Sequence, residues 1–134
     1  MPFKKLFRSV DKSSDGLTQS AREAIVDVLH YCMYADRHIA VREDEFIETA
    51  ARTLNWDANI SYEYYEGKST GAVNRALSDK DEKAAFFESL KTRLPGKVER
   101  ELAIALADDL SLCDGLKKER ESAAIRELKT LLVV

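Results

Sequence analysis

Residues 22–54 and 100–132 carry one pattern twice. Laid over each other without a gap, Arg22-Glu23 meets Arg100-Glu101, Asp36 meets Asp114, Arg42-Glu43 meets Arg120-Glu121, Ile47 meets Ile125 and Leu54 meets Leu132. The matches fall mainly on acids and core-type residues. A supersecondary unit too short to bury its own apolar face buries it against a copy, so the repeat predicts two packed helical hairpins related by a pseudo-two-fold axis.

The rest of the composition agrees with helices. Among 134 residues there are only 5 Gly and 2 Pro, with 45% hydrophobic and 34% charged residues. That length supports one core, which predicts an N-terminal segment and linker over residues 1–19 and a single domain over 20–134. Phosphate neutralisation requires a dense basic surface, whereas the 21 Lys and Arg are outnumbered by 24 Asp and Glu and interspersed with them; nucleic acid is not an expected partner. Cys32 and Cys113 lie in apolar runs at different positions of the two repeats, which is no disulfide framework. Absent a signal-peptide pattern or an apolar run of roughly 20 residues, the expected compartment is the cytoplasm.

Ser20 followed by Glu23 reads as a capping box, and Ile25, Val28, Leu29, Cys32 and Met33 then recur at helical spacing up to Asp36. Phe46, Ile47, Ala50 and Leu54 make the second stripe of the first hairpin. Residues 55–68, with Trp56, Tyr62, Tyr64 and Tyr65, read as a turn and a short helix, and 72–77 as another. Ser78, with Asp81 three residues on, suggests a cap for a helix carrying Phe86, Phe87, Leu90 and Leu94 that Pro95-Gly96 ends. Val98, Leu102, Ala105, Leu106 and Leu110, then Ile125, Leu128, Leu131 and Leu132, supply the second hairpin. The expectation is an all-α bundle of six to seven helices with no strand.

Each hairpin turn pairs an Asp ending one helix with a Glu seven residues later: Asp36 with Glu43, Asp114 with Glu121. A carboxylate at a helix C-terminus faces the negative end of the macrodipole and gains from a nearby cation. If the two turns converge, these four acids form a metal site for a divalent ion such as calcium, magnesium, manganese or zinc. The alternative is that each Glu serves only its own helix start.

The turns also resemble the TerB-like family, the tellurite-resistance protein B group whose domain fronts some membrane-anchored J-domain co-chaperones. The resemblance rests on an apolar helix running into Ala-Asp-Gly, an aliphatic residue, and a Glu seven after the Asp. Tyr34-Ala35-Asp36-Arg37-His38-Ile39 keeps the Ala, Asp and aliphatic residue but has Arg37 for Gly; Leu112-Cys113-Asp114-Gly115-Leu116-Lys117 keeps Asp-Gly with the aliphatic one position early. It spans about residues 20–132 and implies two related helical halves, a non-enzymatic role in metal-oxyanion or envelope stress, and an acidic metal site drawn from Asp36, Glu43, Asp114 and Glu121.

Neither histidine has a second His or a Cys at ligand spacing. His30 reads as a surface or boundary residue, and His38, beside the acidic turn, is the better outside ligand. No serine has a base at recognisable spacing and no Gly-rich loop opens a helix, so an enzyme is not expected. A protein partner is, for which Trp56, Tyr62, Tyr64 and Tyr65 are the densest aromatic cluster, an anchor if exposed and core if buried. Phe3, Leu6 and Phe7 beside Lys4, Lys5 and Arg8 either pack onto the domain or touch a membrane.

Overall fold

A computed structural model describes residues 17–35, 41–112 and 119–134, and at 41–42 and 119–122 the backbone alone. Six helices follow in order: α1 Gln19–Ala35, α2 Val41–Thr53, α3 Tyr62–Ser78, α4 Lys80–Arg93, α5 Lys97–Ser111 and α6 Glu119–Leu132. The described residues contain no strand.

α1 is the axis of the bundle. Every position from Ala24 to Met33 is buried, and the helix packs against all five others. A helix apolar all round belongs in the interior of a domain, and the run Ala-Ile-Val-Asp-Val-Leu-His-Tyr-Cys-Met has only two polar breaks, Asp27 and His30. Further out, the Tyr31 hydroxyl donates to Glu127 Oε1 at 2.5 Å, and Lys83 Nζ lies 3.0 Å from Glu127 Oε2, tying α1, α4 and α6 together.

Several helix ends differ from expectation because a neighbouring side chain wins the cap. Thr18, not Ser20, starts α1, its Oγ1 accepting from the Ala21 N–H at 3.0 Å. Asp79, not Ser78, stands between α3 and α4, closing the first through its N–H to Arg75 O and opening the second by accepting from the Asp81 N–H. The segment expected as two short helices is one 17-residue helix, α3, capped by Ser61. Gly67 and Gly71 cost it about 1 kcal/mol each in intrinsic propensity, but Tyr62, Tyr65, Ser69, Val73 and Ala76 form an unbroken buried stripe at intervals of three and four. In α5, Val98 and Ala105 fall outside the buried face, which is made by Leu102, Ala103, Leu106, Ala107 and Leu110.

The two hairpins close in the same way. Arg22 Nε donates to the Leu54 carbonyl at 2.5 Å, and Arg100 Nη1 to the Leu132 carbonyl at 3.2 Å. The next residue in each case is left-handed, Asn55 at φ 62° and Val133 at φ 57°. Each arginine thus places a cation on the free carbonyls of a helix C-terminus, where the dipole favours it.

Candidate metal centre

Of the four acids expected to hold a cation, Asp36 and Asp114 lie outside the described residues, as do His38, the Glu121 side chain and the residue 1–10 segment. Glu43 is buried in the first turn of α2. The polar chemistry that is described lies one step away, around the two breaks in α1.

Asp27 and His30 are three residues apart, hence on one face of α1, and α3 meets that face with Tyr65 and Ser69. Asp27 Oδ1 accepts from the Tyr65 hydroxyl at 2.9 Å and the Ser69 hydroxyl at 2.5 Å; Oδ2 takes Arg93 Nη2 of α4 at 2.6 Å. His30 Nδ1 lies 2.8 Å from Ser69 Oγ. The order of donors follows. A carboxylate paired with a guanidinium accepts only, so the Ser69 proton points to Asp27, and the serine oxygen accepts from the Nδ1–H of His30. Burial pushes the imidazole down to about 4, leaving it neutral at pH 7. Its remaining nitrogen, Nε2, is a bare lone pair, fully buried and with no hydrogen-bond partner.

One nitrogen of His30, one oxygen of Asp44 on α2 and one of Glu66 on α3 lie within 4.8 Å of one another. With Nδ1 held by Ser69, Nε2 is the nitrogen open to an ion. The His is buried, Glu66 half-buried and Asp44 exposed, so the group has a dry floor and a wet mouth. Burial, then Asp44 and Glu48, hold the Glu66 carboxyl above its usual range; burial, then Asp44 and Glu66, raise the Tyr34 phenol, and burial, then Glu66, Asp44 and Glu48, raise that of Tyr62. Three lone-pair donors facing one another repel unless a proton or cation lies between them. Metal bonds of about 2.0–2.2 Å set neighbouring ligand atoms about 3 Å apart, a contraction within reach of the exposed Asp44 side chain. A set of one imidazole and two carboxylates suits manganese, iron or zinc better than calcium.

The reading of His30 as a surface or boundary residue is corrected: it is wholly buried, because the apolar run around it takes α1 into the centre. The signal was in the sequence, as two polar residues on one face of an otherwise apolar helix must find partners. Nothing in the spacing around Glu66 pointed to it, since it joins the group only through the packing of α3.

Ser69, His30 and Asp27 are the residue types of a hydrolase triad in a different order. There the imidazole takes the serine proton and the carboxylate orients the imidazole; here the serine donates to the carboxylate and is itself buried. A cavity of about 410 Å³ lined by Asp27, Tyr65, Lys68, Ser69, Phe86 and Arg93 opens beside this network. The aromatic cluster divides: Tyr62 and Tyr65 pack in the core with their rings against Trp56, and Tyr64 is 74% exposed.

Neither a family model, nor a curated protein, nor a solved structure matches the chain. Among the described residues no helix is long and apolar enough to cross a membrane.

Proposed function

We propose that this chain is a non-enzymatic, cytoplasmic TerB-like protein that binds a divalent cation and acts within an envelope or metal-oxyanion stress assembly. The observation that carries it is the convergence of His30, Asp44 and Glu66, with a buried imidazole nitrogen left for a ligand. The acids at the turns, Asp36, Glu43, Asp114 and Glu121, are a second source of ligands in this reading. Descent of the two hairpins from one duplicated unit is part of it, supported by the matched arginine clamps and left-handed end residues. Calorimetric titration of chelator-treated protein with manganese, zinc, magnesium and calcium tests it. One ion should bind, and His30→Gln with Asp44→Asn should weaken it at least about 100-fold, since two of three protein ligands are lost; unchanged binding would move the site elsewhere, and no binding would remove it.

Tyr64 favours a second reading, a metal-free protein-interaction module. An aromatic ring 74% exposed at the start of α3 is the kind of anchor that dominates interface energetics. Tyr64→Ala should abolish capture of a partner from source cells while leaving thermal stability within about 0.5 kcal/mol; an unaltered set of partners counts against this surface.

A further inference from the structure

A histidine beside two carboxylates ordinarily points an N–H at them, and such a nitrogen is a donor, useless to a metal until the proton leaves. We infer that Ser69, Asp27 and Arg93 form a positioning relay that fixes His30 as the Nδ1–H tautomer, so that Nε2 meets Asp44 and Glu66 as a ready nitrogen ligand and the site selects zinc or manganese over magnesium and calcium.

The inference rests on the metal reading above and deepens it. Each link is set by the one before. Arg93, on α4, pairs with Asp27 Oδ2 at 2.6 Å and is itself braced by Ser89, whose Oγ lies 3.0 Å from Arg93 Nε. Asp27 Oδ1 is thereby kept as an acceptor for the Ser69 hydroxyl at 2.5 Å, and Ser69 can meet His30 Nδ1 at 2.8 Å only by accepting. Histidine ligands in metal proteins are held through their second nitrogen, and loss of that outer partner weakens the metal about 10–100-fold. The two ends of the relay are built differently. Asp27, His30 and Ser69 are no more than 4% exposed, while Asp44 at the mouth is open to solvent, an arrangement that orders the nitrogen first and lets a carboxylate close over the ion. Magnesium and calcium prefer oxygen and gain little from a nitrogen lone pair.

The experiment is long-range 15N–1H correlation on the full chain in chelator, with His30 assigned against the His30→Gln spectrum, followed by titration with zinc, manganese and magnesium chlorides. The expected result is a proton on Nδ1 and none on Nε2, and zinc affinity at least about 100-fold above magnesium, the preference an imidazole ligand confers. Ser69→Ala, which leaves Asp27 its bonds to Tyr65 and Arg93, should move the proton to Nε2 and weaken zinc and manganese about 10–100-fold. A merely structural serine would leave the tautomer where it was. A proton found on Nε2 in the unaltered protein overturns the relay, and so does an unchanged tautomer in Ser69→Ala, even where zinc binds. Failure of all three ions to bind a protein with the Nδ1–H tautomer overturns the metal centre and the relay's purpose together, and the spectrum then shows that the hydrogen-bond order was right and the ion wrong.

Discussion

The α1–α2 and α5–α6 hairpins are closed by the same devices and filled with different chemistry. Both place an arginine on a carbonyl at the C-terminal end of the second helix, Leu54 or Leu132, and follow it with a left-handed residue. In the register of the repeat, however, Asp27 corresponds to Ala105 and His30 to Asp108. Ala105 is exposed, and Asp108 is half-exposed and 4.0 Å from Lys129. The shared positions are those that any helical hairpin needs to stop its helices. The departures fall on α1, the helix surrounded on every side, where a polar group without a partner carries its full desolvation cost.

The sharpest way to break the comparison is to remove the acid from each. Asp27→Ala leaves the Arg93 guanidinium in a largely buried place without its carboxylate and takes away the acceptor that the Tyr65 and Ser69 hydroxyls share, and should cost about 3–5 kcal/mol in urea unfolding. Asp108→Ala should fall within about 0.5 kcal/mol of the unaltered protein, because its ion pair is loose and solvated. Equal costs would mean that the polar interior of α1 adds nothing that the second hairpin lacks.

His30 gives the next largest difference and a sign that can be checked. Its folded-state pKa is lowered by burial from 6.5 to about 4, so the unfolded chain binds the proton more readily. Stability is therefore complete above pH 6.5 and declines as the pH falls toward 4, by about 3 kcal/mol in all. Glu66 works in the opposite sense: its carboxyl is raised above 4.5, first by burial and then by Asp44 and Glu48, so it favours folding in acid and gives that up as pH rises past 4.5. Thermal unfolding of chelator-treated protein across this range should show the acid-side loss, and His30→Gln should flatten it. A slope untouched by the substitution would assign the loss to carboxylates elsewhere.

How far the sequence could be read depended on where each signal resides. Helix content and the apolar stripes of α1, α2 and α4 follow from periodicity within single segments, and the structure has them. α3 does not show as one helix in the sequence because its stripe runs through two glycines and begins in aromatics that look like a turn, so that a local penalty hides a longer pattern. The caps at Thr18 and Asp79 lie two residues and one residue from the expected Ser20 and Ser78 because adjacent Thr, Ser and Asp side chains compete for the same amides. The His30, Asp44 and Glu66 group was not legible at all as a set, since its members come from three helices brought together by tertiary packing. One member alone leaves a trace: His30, which shares with Asp27 one face of a helix too apolar to lie at the surface. The acids of the two turns attract notice in the sequence because they recur, and a single imidazole does not.

The smallest test concerns the left-handed residues that end the hairpins. Asparagine tolerates φ near +60°, whereas a β-branched side chain there crowds its own backbone, so Asn55 is at ease and Val133 is strained. Val133 is also 85% exposed, so its side chain gains little from burial in return. The Val134 N–H reaches back to the Lys129 carbonyl at 3.0 Å, a bond that depends on the left-handed turn between them. Val133→Gly should therefore stabilise the protein by about 0.5–1 kcal/mol, the strain relieved less the entropy that glycine adds to the unfolded chain. Asn55→Val should cost about 1 kcal/mol by bringing that strain into the first hairpin. If both changes proved neutral in thermal unfolding, the left-handed ends would carry no strain and the likeness between the hairpins would rest on the arginines alone; opposite signs would show that one turn is optimised and its counterpart is not, the same inequality that the polar interior of α1 shows on a larger scale.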